Sequence, residues 1–137
     1  MERAVPTEPA TALPPILEVS GLTKSFRAGP RRPFARANRF VAVNNVDVSV
    51  APLESLGVVG ESGCGKSTLA RCMLKLIDYD RGSVRFEGRP LEELDARTLR
   101  KLRTQMQMVF QDPYSSLNPR RTILDTLCEP LIAHGLR

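Results

Sequence analysis

Apolar positions along the chain change their spacing several times, and each spacing predicts a different element. A short apolar run at 16–19, continued at 22–26, predicts a first strand. Residues 40–43 and 46–50 alternate between apolar and polar side chains, which is typical of half-buried strands. The segment between these runs, 29–39, is rich in Arg, Pro and Gly and is expected to be an exposed loop. Together they predict an antiparallel strand pair.

The pattern then becomes that of alternating strands and helices. Residues 55–59 form a nearly continuous apolar run that ends in glycine, which predicts a strand buried on both faces. Helical spacing follows at 66–77, with further helices expected at 91–105 and from about residue 122, where Pro130 implies a kink or a break. Short strands are expected at 83–88 and 106–110. This order predicts an α/β or mixed architecture.

Length and composition fit one ordinary soluble domain. The chain has 137 residues, of which 42% are hydrophobic and 26% charged. It contains no apolar run of about 18 residues, so no transmembrane helix is predicted. Residues 1–15 are proline-rich, and Glu2 and Glu8 exclude the apolar centre of a signal peptide. We therefore expect a disordered lead-in over 1–15 and a single domain over 16–137.

Charge and reactive side chains exclude only a few classes of function. The net charge of +5 comes largely from arginine clusters at 31–39, 97–103 and 120–121, which are expected to be solvated faces. The clusters could alternatively bind an anionic ligand or a lipid surface. The lack of interleaved aromatic residues argues against binding of nucleic acid. Cys64, Cys72 and Cys128 form no metal or disulfide pattern, which fits a reduced compartment. His134 has no partner in the sequence for metal binding or catalysis and is expected at the surface.

One segment carries a specific chemical signal, the pattern G-x-x-x-x-G-K-[ST] that follows the apolar run 55–59 and opens the predicted helix. Its glycines let successive backbone N–H groups turn toward one anion at a helix N-terminus. Lys66 places a positive charge between terminal phosphates, and the Ser67 hydroxyl suits Mg²⁺. The candidate phosphate-binding residues are Gly60, Ser62, Gly63, Cys64, Gly65, Lys66, Ser67 and Thr68.

Two side chains inside this loop have alternative interpretations. A helix N-terminus can activate a thiol, so a reactive Cys64 is conceivable, but this variable position also simply tolerates a small side chain. Glu61 is expected to face solvent, because a carboxylate beside bound phosphates would be repelled.

Four segments resemble the ATP-binding subunits of ABC transporters, in particular those of oligopeptide and dipeptide importers. They are LEVSGLTKSF at 17–26, AVNNV at 42–46, LGVVGESGCGKST at 56–68 and MQMVFQDPYSSLNPR at 106–120. The resemblance implies a P-loop NTPase (ABC ATPase) core, incomplete here, with an N-terminal antiparallel β subdomain. It also implies an ATPase that couples ATP binding and hydrolysis to peptide import.

The resemblance assigns further roles to matching positions. Phe26 resembles the aromatic residue that stacks on adenine, and Gln111 the Q-loop glutamine that, with Ser67, ligates Mg²⁺. The stretch between Asp112 and Arg121 resembles the surface that docks on membrane-spanning permease subunits. A second ATP-binding subunit, and a cytoplasmic position on the inner face of the plasma membrane, are implied as well.

The sequence also departs from the family. Leu53 stands where the family usually has glycine before a glutamate, which costs about 1 kcal/mol if that turn needs positive φ. No LSGGQ-like motif, no apolar strand ending in Asp-Glu and no switch histidine occurs in the 137 residues. The alternative is therefore a truncated nucleotide-binding module without hydrolytic activity. A different P-loop enzyme, or a basic membrane-surface or nucleic-acid binder, remains as a weaker option.

Overall fold

The structure is a computed structural model of the chain and describes residues 14–28, 38–112 and 117–135. The expected lead-in falls almost wholly outside these residues, as does most of the basic loop. The described residues form two compact units that divide between Glu93 and Leu94. Within the described residues, no helix is both long and apolar enough to cross a bilayer.

A long antiparallel hairpin forms the first half of the first unit. Strand β1 spans Leu17–Ala28 and pairs with β2, Asn38–Val50, as the alternating pattern predicts. The register shifts between Leu22 and Lys24, where β2 contains one extra residue, Asn45, at φ 49°. This irregularity explains why the sequence pattern shows two short runs where the structure has one continuous strand.

Two further strands complete a four-stranded antiparallel sheet in the order β2-β1-β3-β4. Strand β3 is Arg81–Phe86 and β4 is Arg89–Pro90, followed by a 3₁₀ turn at Leu91–Glu93. Glu87 and Gly88, both at positive φ, form the two-residue turn of this hairpin, which matches the right-handed strand twist. β3 continues the sheet on the other side of β1, where Thr23 pairs with Arg81.

Helix α1 spans Lys66–Met73 and buries Leu69 and Cys72. It ends four residues earlier than its apolar pattern predicts, because Lys75 adopts a left-handed conformation and the chain turns away. The buried hydrophobic residues of the first unit are Val19, Leu22, Val43, Leu69, Cys72, Val84, Phe86 and Leu91.

The second unit contains two helices with well-formed starts. Helix α2 is Ala96–Leu102, capped by Asp95, whose carboxylate accepts a hydrogen bond from Thr98 N at 2.7 Å. Helix α3 is Ile123–His134 and begins with a capping box between Thr122 and Asp125. It continues through Pro130, so the proline does not break the helix.

Two predicted strands are wrong. Residues 55–59 and 106–110 lie outside regular secondary structure, and Val59 and Val109 are 96% and 95% exposed. A buried parallel strand needs hydrogen-bonding neighbours on both sides, and the described residues supply none for these two runs. The apolar pattern that suggested burial is real, but the partners that would bury it are not among the described residues.

Candidate functional site

The loop between residue 59 and α1 is bent back on itself, as the glycine pattern predicts. Cys64 N donates to Glu61 O at 3.3 Å, and Gly63 and Gly65 adopt left-handed conformations with φ 83° and 101°. The first amides of α1 have no partner within the helix, because an α-helix leaves its initial N–H groups unpaired. Bent backbone and free amides together form a concave site suited to an anion.

Gly65 is where this loop meets the sheet. A Cβ on Gly65 would lie 2.1 Å from the carbonyl oxygen of Ala42 in β2. The same residue caps α1 and accepts the first helical bond, from Leu69 N at 2.8 Å. The tight backbone approach therefore fixes where the helix begins relative to the sheet.

Lys66 turns back into the curve of the loop. Its Nζ donates to Gly60 O and Glu61 O, each at 2.6 Å, and lies 3.5 Å from Cys64 Sγ. The ammonium is thus held among loop atoms by neutral carbonyl acceptors. An anionic oxygen at the loop would be a stronger partner for this charge than either carbonyl.

The hydroxyl groups of the loop are available to bind polar ligands. Ser62 and Ser67 are exposed, Thr68 is half-buried, and none of the three side chains has a hydrogen-bond partner within the described residues. No cluster of three or more His, Cys, Asp or Glu side chains that could hold a metal exists in that part of the chain. This donor set fits Mg²⁺, which binds through few protein oxygens together with water and phosphate.

An apolar cavity of about 590 Å³ adjoins the loop. It is lined mainly by valines of β2 and of the segment 56–59, and also by Cys64, Gly65 and Lys66 of the loop. Its lining suits apolar contacts, so the amide-lined loop is the better phosphate site of the two.

Phe26, the candidate adenine contact, lies near the end of β1. It pairs across the hairpin with Phe40, and the two side chains are 42% and 56% exposed. Lys24 Nζ lies over the Phe26 ring, 5.1 Å from its centroid. Phe26 is therefore a surface aromatic and not a core residue, which leaves its ring accessible.

A polar network beside Phe26 was not predicted from the sequence. Asp80 Oδ2 accepts from Ser25 N at 2.7 Å and from Ser25 Oγ at 2.5 Å. Arg39 Nε donates to Ser25 Oγ at 2.8 Å, and Arg39 Nη2 lies 3.2 Å from Asp80 Oδ1. The hydrogen bonds from Ser25, more than the nearby Arg39 and Lys24 charges, lower the pKa of the Asp80 carboxyl. The three residues are far apart in sequence, so no local pattern reveals their contact.

The remaining predicted residues lie in the second unit. Gln111 is exposed and is followed by Asp112, while residues 113–116 of the expected docking surface lie outside the described residues. Beyond them, Asn118 Oδ1 accepts from Arg120 N at 3.0 Å in a turn that leads to α3. His134 is exposed in the last turn of α3, as expected.

Comparison with known families decides what this loop belongs to. The sequence matches the family model described as "ABC transporter" over residues 43–134, a range that includes the whole bent loop and Gln111. The chain belongs to the ABC transporter family. This assignment confirms the resemblance stated from the sequence, and with it the partial ABC ATPase fold.

Curated ABC relatives carry names of peptide-type importers. The glutathione import ATP-binding protein GsiA of Salmonella paratyphi A is 45% identical over 125 residues, which cover 89% of this chain and 20% of GsiA. The putative oligopeptide transport ATP-binding protein YkfD of Bacillus subtilis is 42% identical over 122 residues, covering 89% and 35%. The chain thus spans between a fifth and about a third of these two relatives.

Solved ABC structures share the fold. The dimeric structure of MJ0796, a bacterial ABC transporter cassette, superposes with a TM-score of 0.68 at 25% identity, covering 86% of this chain and 47% of that one. A post-hydrolysis structure of the same cassette, bound to ADP and Pi, gives the same values.

Proposed function

We propose that this chain is the nucleotide-binding N-terminal part of an ABC importer ATPase that takes up oligopeptides or dipeptides. The observation that carries the proposal is the bent loop 60–68 with the Lys66 ammonium inside its curve. In the complete subunit, ATP binding and hydrolysis would be coupled to peptide import. The names of GsiA and YkfD support a peptide-type solute.

The phosphates of ATP bind the loop through its backbone and Lys66. An incoming phosphate oxygen replaces Gly60 O and Glu61 O as acceptor for Nζ, and the free amides at the start of α1 donate to the same anion. The side chains of Ser62, Ser67 and Thr68 add hydroxyl donors. Because these groups are already oriented by the fold, little ordering cost opposes binding.

The base and the metal use residues outside the loop. The exposed ring of Phe26 offers a stacking surface for adenine. Ser67 and Gln111 are the residues that would hold Mg²⁺, which neutralises charge on the phosphates when bound. Gln111 contributes through its side-chain carbonyl oxygen.

The partners follow from the same proposal. The stretch between Asp112 and Arg121 docks on membrane-spanning permease subunits, and a second ATP-binding subunit pairs with this one. The dimeric form of the MJ0796 cassette supports such pairing. The protein then works in the cytoplasm, peripherally attached to the inner face of the plasma membrane.

A second candidate function is a nucleotide-binding module that does not hydrolyse ATP. It needs only the phosphate-binding geometry of loop 60–68 and no group that activates water at the terminal phosphate. Phosphate release from ATP by the purified chain decides between the two: multiple turnovers that vanish in Lys66→Ala exclude this candidate.

Calorimetric titration of the 137-residue chain with Mg·ATP tests nucleotide binding itself. Lys66→Ala is expected to weaken binding by roughly 10- to 100-fold, since hydrogen bonds to charged groups contribute about 1.5–3 kcal/mol. Lys101→Ala, in α2, removes the same charge from a residue outside loop 60–68 and is the matched control. Equal affinities of Lys66→Ala and the unmodified chain would refute the proposal.

A further inference from the structure

The edge of β1 loses its neighbour just before Phe26. Pairing between β1 and β3 ends at Thr23 and Arg81, and Asp80 N extends it by one bond to Thr23 O at 2.8 Å. Beyond that point the Asp80 side chain takes over, because its Oδ2 accepts from Ser25 N at 2.7 Å. A carboxylate thus replaces the missing strand as acceptor for the residue adjacent to Phe26.

The same carboxylate fixes the other strand of the hairpin. Arg39 in β2 donates to Ser25 Oγ at 2.8 Å and approaches Asp80 Oδ1 at 3.2 Å. Arg39 directly precedes Phe40, the cross-strand partner of Phe26. Three separate segments of the first unit are therefore joined by one acidic side chain next to the aromatic pair.

The contacts among Ser25, Arg39 and Asp80 affect the position of the Phe26 ring. The Phe26 side chain is 42% exposed, and the Lys24 ammonium lies 5.1 Å from the ring centroid. Because Ser25 directly precedes Phe26, the position of the ring depends on how the backbone at Ser25 is held. Register shifts on both sides of Lys24 leave the strand pairing irregular there, which increases that dependence.

We propose that Asp80, acting through Ser25 and Arg39, is a positioning residue that holds Phe26 in place to stack on the base of a purine nucleoside triphosphate. The proposal rests on the proposed function, since it assumes that loop 60–68 binds the phosphates. It adds a residue that touches neither base nor phosphate, yet governs the base-dependent part of affinity. Phosphate binding at the loop does not depend on it.

The experiment compares two probes, Mg·ATP and magnesium tripolyphosphate, which has the phosphates but no base. Affinities for the 137-residue chain are measured by calorimetry in Asp80→Ala, in the milder Ser25→Ala, and in Phe26→Ala. Asp78→Ala is the matched control, because Asp78 is a neighbouring acid that pairs with Lys75 at 2.9 Å instead of accepting from Ser25.

The ratio of ATP to tripolyphosphate affinity is the decisive quantity. It is expected to fall about tenfold in Phe26→Ala and roughly three- to tenfold in Asp80→Ala, as loss of base stacking implies. Tripolyphosphate affinity stays unchanged in both variants, which also shows that the loop is folded. In a Phe26→Ala background, Asp80→Ala has no further effect on the ratio.

Three other outcomes would overturn the inference, and each identifies which step of it is wrong. If the unmodified chain binds neither probe, the proposed function fails and the inference with it. If the unmodified chain binds both equally, Phe26 does not stack on the base. If Asp80→Ala and Ser25→Ala leave the ratio unchanged or weaken both probes alike, Asp80 is not a positioning residue, although the loop still binds phosphate.

Discussion

At the scale of single residues, the backbone conformation of the phosphate loop limits which side chains its glycine positions can accept. Gly65 combines φ 101° with a backbone carbonyl 2.1 Å from the place of a Cβ, while Gly63, at φ 83°, faces open space. Both residues shape the phosphate loop, but only one is constrained by its neighbours as well as by its own torsion angle. A Cβ at Gly63 would therefore cause backbone strain alone, whereas a Cβ at Gly65 would cause strain and a steric clash.

Alanine at these two glycines is expected to destabilise the fold unequally. Gly63→Ala should lower the free energy of unfolding by about 1–2 kcal/mol, the cost of a left-handed residue with a Cβ. Gly65→Ala should cost clearly more, because Ala42 O must move as well. Urea unfolding of both variants measures the difference, and equal costs would contradict the close approach seen here.

Leu53 is a second residue in a strained conformation. Glu54 N donates to Ala51 O at 3.2 Å across a turn in which Leu53 has φ 64° and its side chain is fully exposed. Positive φ at the third residue of such a turn favours glycine. The strain anticipated at this position from the sequence is therefore present.

Leu53→Gly is expected to raise the free energy of unfolding by up to about 1 kcal/mol, the relieved strain minus the added chain entropy of glycine. Leu53→Ala keeps the strain and removes only an exposed side chain, so it should change little. Thermal unfolding of both variants is the measurement. A gain in the alanine variant equal to that in the glycine variant would show that exposure, not φ, is the cause.

At the scale of elements, several local patterns predict an element and its start correctly, although not the end of α1 or the break at Pro130, whereas patterns that depend on distant residues fail. The β1–β2 pair, the start of α1 after the loop and the start of α3 near Thr122 all followed from nearby residues. The strands at 55–59 and 106–110 were wrong, because a strand depends on neighbours distant in sequence. Likewise, the phosphate loop was predictable from one contiguous motif, whereas the Asp80 network joins three segments.

The capping box of α3 makes a testable contribution of its own. Thr122→Ala removes the acceptor for Asp125 N at 3.1 Å and should cost about 1 kcal/mol of helix stability. Thr126→Ala, one turn into the helix, is the control: it loses the bond from Thr126 Oγ1 to Thr122 O at 3.0 Å but gains helix propensity, so it should change stability less than Thr122→Ala. Amide hydrogen exchange in α3 measures both, and equal protection in the two variants would argue against the cap.

At the scale of the whole molecule, many large apolar side chains lie on the surface. They include Leu56, Val58 and Val59 beside the loop, and Leu124, Leu127 and Ile132 on α3. The chain spans 20% of GsiA and 47% of the MJ0796 cassette. The buried apolar residues and polar contacts such as the Asp80 network contribute to the stability of the described residues.

The contribution of Asp80 predicts a loss of stability in acid. The pKa of Asp80 is lowered in the folded state, so its contribution is complete above the unfolded-state pKa of about 3.9 and disappears as pH falls through the folded value. Asp80→Asn should reduce stability at pH 7 and show a weaker decline below pH 4. Urea unfolding at both pH values tests this; parallel declines in the variant and the unmodified chain would exclude Asp80 as a source.

The confinement of the Lys66 ammonium within its loop also bears on chemical labelling. Because Lys66 Nζ donates to Gly60 O and Glu61 O inside the loop, acylating reagents should modify it more slowly than the exposed Lys101 of α2. Occupancy of the loop by a phosphate chain would slow that modification further. Mass-spectrometric footprinting at this one amine thus reports ligand occupancy without calorimetry, and it does so even in preparations where only a fraction of molecules is active.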